Sequence, residues 1–107
     1  MAFLDEEALI ERSIINELIA VTPEHWSKIR MVVEFRVEPG GHEGLAHTVL
    51  SPQGHRDLIE PSSKTYDLTF KLRELFKKWA RGWKRADINA ELDDEGAWKY
   101  EVQYEYD

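Results

Sequence analysis

The segment Asp87-Ile88-Asn89-Ala90-Glu91-Leu92, the turn Asp93-Asp94-Glu95-Gly96-Ala97, and the run Trp98-Lys99-Tyr100-Glu101-Val102-Gln103-Tyr104-Glu105-Tyr106 carry the plainest structural signal in this chain. Ile88, Ala90 and Leu92 alternate with Asp87, Asn89 and Glu91. Beyond the turn, Trp98, Tyr100, Val102, Tyr104 and Tyr106 alternate with Lys99, Glu101, Gln103 and Glu105. Successive side chains of an extended backbone point to opposite sides, so a period of two marks a strand with one buried face. Two such runs around a short Asp/Gly turn predict an antiparallel hairpin, with even-numbered residues toward the core and odd-numbered residues outward.

The same period appears earlier, over residues 29–38. Met31, Val33, Phe35 and Val37 lie to one side, and Arg30, Glu34, Arg36 and Glu38 to the other; Pro39-Gly40-Gly41 ends the run. A second strand is expected at 45–50, then a turn at Ser51-Pro52-Gln53-Gly54, then a short third strand at 56–60 stopped by Pro61. Ile10, Ile14, Leu18 and Val21, flanked by Ile15 and Ile19, recur at helical spacing and predict a helix over 6–20. Asp5 would be its N-cap, with Glu6 and Glu7 favoured by the helix dipole, and Thr22-Pro23 its end. Leu68, Leu72, Leu75, Phe76 and Trp79, broadened by Tyr66 and Phe70, predict a second helix over 64–81, capped by Ser62 or Ser63 and stopped near Gly82. The order α-β-β-β-α-β-β, with short connections, implies one α+β domain over residues 1–107. It would be a two-layer sandwich, an antiparallel sheet with both helices on one face.

Charge is unevenly placed. Residues 1–86 hold 13 acids and 13 bases; residues 87–107 hold 8 acids and Lys99 alone, so 8 minus 1 accounts for the whole net charge of −7. Upstream, Lys64, Lys71, Arg73, Lys77, Lys78, Arg81, Lys84 and Arg85 face only Asp67 and Glu74. The acids Asp87, Glu91, Asp93, Asp94, Glu95, Glu101 and Glu105 fall on the outward face or at the tip of the expected hairpin. Like charges across strands are destabilising, so a hairpin shaped by stability alone would intersperse lysines. These seven residues are therefore the candidate partner-binding surface, suited to steering toward a basic protein. The alternative is nucleic-acid binding by the basic stretch 64–85, with Trp79 and Trp83 as stacking groups. The acidity of the whole chain argues against direct contact with nucleic acid.

Catalytic patterns are missing. No cysteine is present, which removes disulfides, thiolate metal sites and thiol nucleophiles and suits a reducing compartment. His42 and His47 are five apart in a Gly-rich turn rather than four apart on a helix, and His55 could join them only through folding; neither metal nor cofactor is expected. No Gly-rich phosphate loop or serine elbow occurs, and Asp93-Asp94-Glu95 reads as turn chemistry rather than an acid–base pair. The chain is expected not to be an enzyme. Its start, Met1-Ala2-Phe3-Leu4-Asp5-Glu6-Glu7, lacks the basic opening of a signal peptide, and no apolar run reaches the length of a bilayer span. A cytoplasmic location is expected.

Thr22-Pro23-Glu24-His25-Trp26 follows the first helix and precedes a strand containing Glu34. Downstream stand Trp83, Ile88, Gly96-Ala97-Trp98 and Tyr104-Glu105-Tyr106. In order and spacing this resembles the YezG-like antitoxins over nearly the whole chain, with a departure across residues 40–60. The resemblance implies a bacterial immunity protein. Such proteins bind and neutralise secreted polymorphic toxins, typically through their C-terminal nuclease domains. Trp26, Trp83, Gly96 and Trp98 match family positions and are expected to be structural, since large aromatics supply much of a small domain's buried area.

Overall fold

Alternation over 28–37 places Ile29, Met31 and Val33 on one side of an extended chain, and all three are fully buried. In a computed structural model, which describes residues 3–79 and 82–106, the elements are α1 (Phe3–Ala20), β1 (Lys28–Val37), β2 (Glu43–Leu50), α2 (Ser63–Trp79), β3 (Arg85–Leu92) and β4 (Trp98–Glu105). The strands form one antiparallel sheet in the order β2-β1-β3-β4. Each half of the chain is a helix followed by a hairpin, and the hairpins meet where β1 pairs with β3 at the sheet centre. Both helices pack on one face, so the chain is the α+β two-layer domain expected.

The buried layer joins Ile14, Ile15 and Leu18 of α1 to Leu72 and Phe76 of α2. Beneath them lie Ile29, Met31 and Val33 of β1 and Ala86, Ile88 and Ala90 of β3. Trp83 and Trp26 are sealed in the same cluster, the structural role expected of them. Arg73 spans the two halves: its guanidinium lies 3.5 Å from the Phe35 ring centroid, and its Nε donates to the Trp83 carbonyl at 3.0 Å. Tyr104 Oη donates to Glu11 Oε2 at 2.5 Å, pinning β4 under α1. Burial of Glu11 at that contact raises its carboxyl pKa, partly offset by the tyrosine hydrogen bond.

Several expectations are corrected. The strand expected at 56–60 does not form. Leu58 points into solvent, while Asp57, itself partly exposed, accepts hydrogen bonds from Trp26 Nε1 at 2.9 Å and His25 at 2.8 Å. Those side-chain bonds hold residues 51–62 as an irregular strap rather than a ladder. The element order is therefore α-β-β-α-β-β. Asp5 lies within the first turn of α1 and is not its cap. Ser62 is the cap of α2: its Oγ accepts from the Thr65 amide at 3.3 Å and donates to Glu17 at 2.8 Å. On α2 the buried stripe runs through Thr65, Thr69, Leu72, Leu75 and Phe76, while Tyr66, Phe70 and Trp79 are exposed. The last turn expected for this helix, Ala80 and Arg81, lies outside the described residues.

Ile88 occupies the centre of this layer, between Met31 on β1 and Val102 on β4. Ile88→Ala should destabilise the chain by about 2–5 kcal/mol in urea denaturation, the range for truncating a fully buried aliphatic side chain.

Candidate protein-binding face

The sheet face opposite the helices carries the even-numbered residues of β1 and the odd-numbered residues of β3 and β4. Its cations are Lys28, Arg30, Arg36, Arg85 and Lys99, and its anions Glu34, Asp87, Glu91, Glu101 and Glu105; 5 minus 5 leaves no net charge. The outward side of the hairpin does gather Asp87, Glu91, Glu101 and Glu105, as the alternation requires. However, β1 lies beside β3 and brings arginine and lysine against them. Arg30 makes two hydrogen bonds to Asp87, Nε to Oδ1 at 2.8 Å and Nη2 to Oδ2 at 2.6 Å. Asn89 donates to the same carboxylate at 3.0 Å. The arginine hydrogen bonds hold the Asp87 carboxyl below the usual aspartate range, against the opposing effect of burial.

Glu91 is similarly engaged, 3.7 Å from Lys28 Nζ and directly opposite Lys99 on β4. Asp93 belongs to the hairpin turn: its Oδ1 accepts from the backbone N–H of Glu95 and of Ala97, each at 2.9 Å. Those amide bonds, the Ala97 one foremost, lower its pKa. Gly96 completes the turn with φ of +83°, a left-handed conformation in which a side chain would be strained. The seven sequence candidates therefore divide. Asp87, Glu91 and Asp93 are held by partners within the fold. Asp94, Glu95, Glu101 and Glu105 form no ion pair within 4.0 Å among the described residues. Glu101 accepts one hydrogen bond, from Gln103 at 3.0 Å. These four line the turn and the outer edge strand, leaving a narrower acidic rim than the sequence suggests.

The basic stretch is dispersed. Arg73 is engaged with Phe35 and Trp83, and Arg85 lies on the opposite side of the sheet, across from Glu105. Trp83 is fully buried and offers no stacking surface. Lys64, Lys71, Lys77 and Lys78 remain exposed along α2. The histidines separate as well. His42 is exposed in the β1–β2 turn, while His47 tucks beneath α2 with Nε2 at 2.7 Å from Thr69 Oγ1, burial lowering its pKa. A cleft of about 210 Å³ opens beside His47 between β2 and α2, with Tyr66 and Phe70 on its rim. His55 lies instead beside His25 and Asp57, a grouping that sequence spacing does not show.

What the sequence missed on this face is Lys28 and Arg30. The outward phase of Arg30 was legible, but nothing in local sequence says that β1 adjoins β3 rather than another strand. Among the described residues, no helix is long and apolar enough to cross a membrane. Neither the known family models nor the curated proteins contain a match to this chain.

The depressed Asp87 pKa has a defined sign in stability. A carboxylate whose folded pKa lies below its ordinary value of 3.8 contributes stability that is complete above that value and lost as pH falls through the folded one. Asp87→Asn should therefore be less stable than the wild type at pH 7, and the gap should close on acidification below pH 3.8, measured as urea midpoints across a pH series.

Proposed function

We propose that this chain is a bacterial immunity protein of the YezG-like kind. In this reading it works in the cytoplasm, binding a cognate toxin protein and neutralising it without chemistry of its own. The observation that carries the reading is the acidic rim of Asp94, Glu95, Glu101 and Glu105, none of which forms an ion pair within 4.0 Å among the described residues. A nuclease domain must attract phosphate and so presents a basic groove. An acidic rim beside an exposed, polar sheet face suits such a partner, the rim steering approach and the sheet supplying contact area. The sequence resemblance over Thr22–Trp26, Trp83, Gly96–Trp98 and Tyr104–Tyr106 supports the same class. Tyr104 is excluded as an anchor because it is committed to Glu11, Phe76 and Trp83.

The test first asks whether the adjacent reading frame encodes a toxin domain, and co-expresses that domain with this chain. The wild type should restore growth and form a complex. Asp94→Lys, Glu95→Lys and Glu101→Lys together should retain the wild-type circular dichroism yet associate about tenfold or more slowly at low salt. Unchanged association by the folded triple variant would remove the rim from the mechanism, and failure of the wild type to bind would remove the class.

A further inference from the structure

The irregular strap over 51–62 meets the loop before β1 at His25, His55 and Asp57. One ligand atom from each lies within 4.8 Å of the other two. His25 Nε2 is 2.8 Å from Asp57 Oδ2, and Trp26 Nε1 donates to that oxygen at 2.9 Å. The His55 ring is held by its surroundings rather than by hydrogen bonds. It stacks on the Trp26 indole, with centroids 5.6 Å apart and planes at 18°, and meets the edge of His25 at 4.9 Å. Its Nε2 is buried without a hydrogen-bond partner.

A latch fastening the strap needs only His25, Trp26 and Asp57. It leaves unexplained why a second imidazole is packed against the first with a buried nitrogen unused. We propose that His25, His55 and Asp57 form a binding site for a late first-row divalent cation of the zinc class. Two imidazoles and one carboxylate are the donor set that such ions take when one position stays open to water. Ligand atoms around tetrahedral zinc, at about 2.0–2.1 Å from the metal, stand about 3.3 Å apart. Atoms already within 4.8 Å reach that spacing by side-chain rotation. His25 and Asp57 are half-exposed, their side chains 56% and 40% accessible, so the site opens to solvent.

On binding, the cation replaces the proton shared between His25 Nε2 and Asp57. The Trp26 indole N–H keeps its hydrogen bond to the carboxylate and orients it, as outer-shell donors do at metal sites. Trp26 is 2% exposed and packed in the core, so this orienting group is rigid. Ser27, the next residue, accepts the backbone N–H of Leu92 at 2.8 Å, which puts the site at the end of the sheet where the acidic hairpin turns.

The experiment titrates zinc chloride into the full chain, purified without a histidine tag and stripped with chelator, by calorimetry. Cobalt absorption serves as a second readout of tetrahedral nitrogen and oxygen ligation. One zinc per chain is expected. His25→Gln and His55→Gln should each weaken binding at least tenfold, and His42→Gln should leave it unchanged. If a ligand variant does not fold, proton NMR of the wild type decides: zinc should shift the His25, His55 and Trp26 indole signals and leave His42 in place. Absence of binding, binding undiminished in folded His55→Gln, or shifts confined to His42 would overturn the site. The outcome is independent of toxin binding, which the acidic rim variant probes separately.

Discussion

Pairing of β1 with β3 is the constraint on which the rest of the molecule depends. It sets Met31 opposite Ile88, Ile29 opposite Ala90 and Val33 opposite Ala86, all six buried on one side of the sheet. Because the period of a strand is two, that registration commits every even residue of β1 and every odd residue of β3 to the other side. A one-residue slip would turn the charged side of one strand, Arg30 on β1 or Asp87 on β3, into the core. The helices then have only one face to cover, and α1 and α2 lie together over it, with Leu18 and Phe76 filling the layer.

The same pairing governs the electrostatics of the exposed face. Arg30 and Asp87, 57 residues apart, become neighbours with paired hydrogen bonds, and Lys28 comes within 3.7 Å of Glu91. The acids of β3 and β4 thereby share a sheet face of balanced charge with the cations of β1, while Lys64, Lys71, Lys77 and Lys78 stay exposed along α2. Acids without an ion pair remain where β4 forms the edge and where the hairpin turns, and among the described residues no further strand lies beyond β4. The acidic rim thus follows from strand order along β4 and from the hairpin turn at its tip.

The strap between β2 and α2 illustrates how side-chain hydrogen bonding competes with a ladder. Leu58 and Ile59 resemble strand residues, yet Asp57 finds two donors in His25 and Trp26, and Gln53 accepts from the Ser27 amide at 3.1 Å. Those bonds satisfy the strap locally and pull it toward the start of β1. They also assemble two imidazoles and a carboxylate from segments some 30 residues apart, which no linear motif encodes.

Local periodicity alone determined both helices, four of the five expected strands and the inward placement of Trp98 and Tyr104 in the last hairpin, whereas Tyr100, expected inward, is exposed. These are legible because one-sided burial imposes a repeat on neighbouring residues, and a repeat is a property of sequence. Only the tertiary structure decided which strand lies beside which, and hence that Arg30 neutralises Asp87. It likewise decided that Tyr66, Phe70 and Trp79 face solvent and that His55 joins His25 rather than His42 or His47. Each of these rests on contacts between residues far apart in the chain, whose geometry is set by the packing of whole elements and leaves no trace in local spacing.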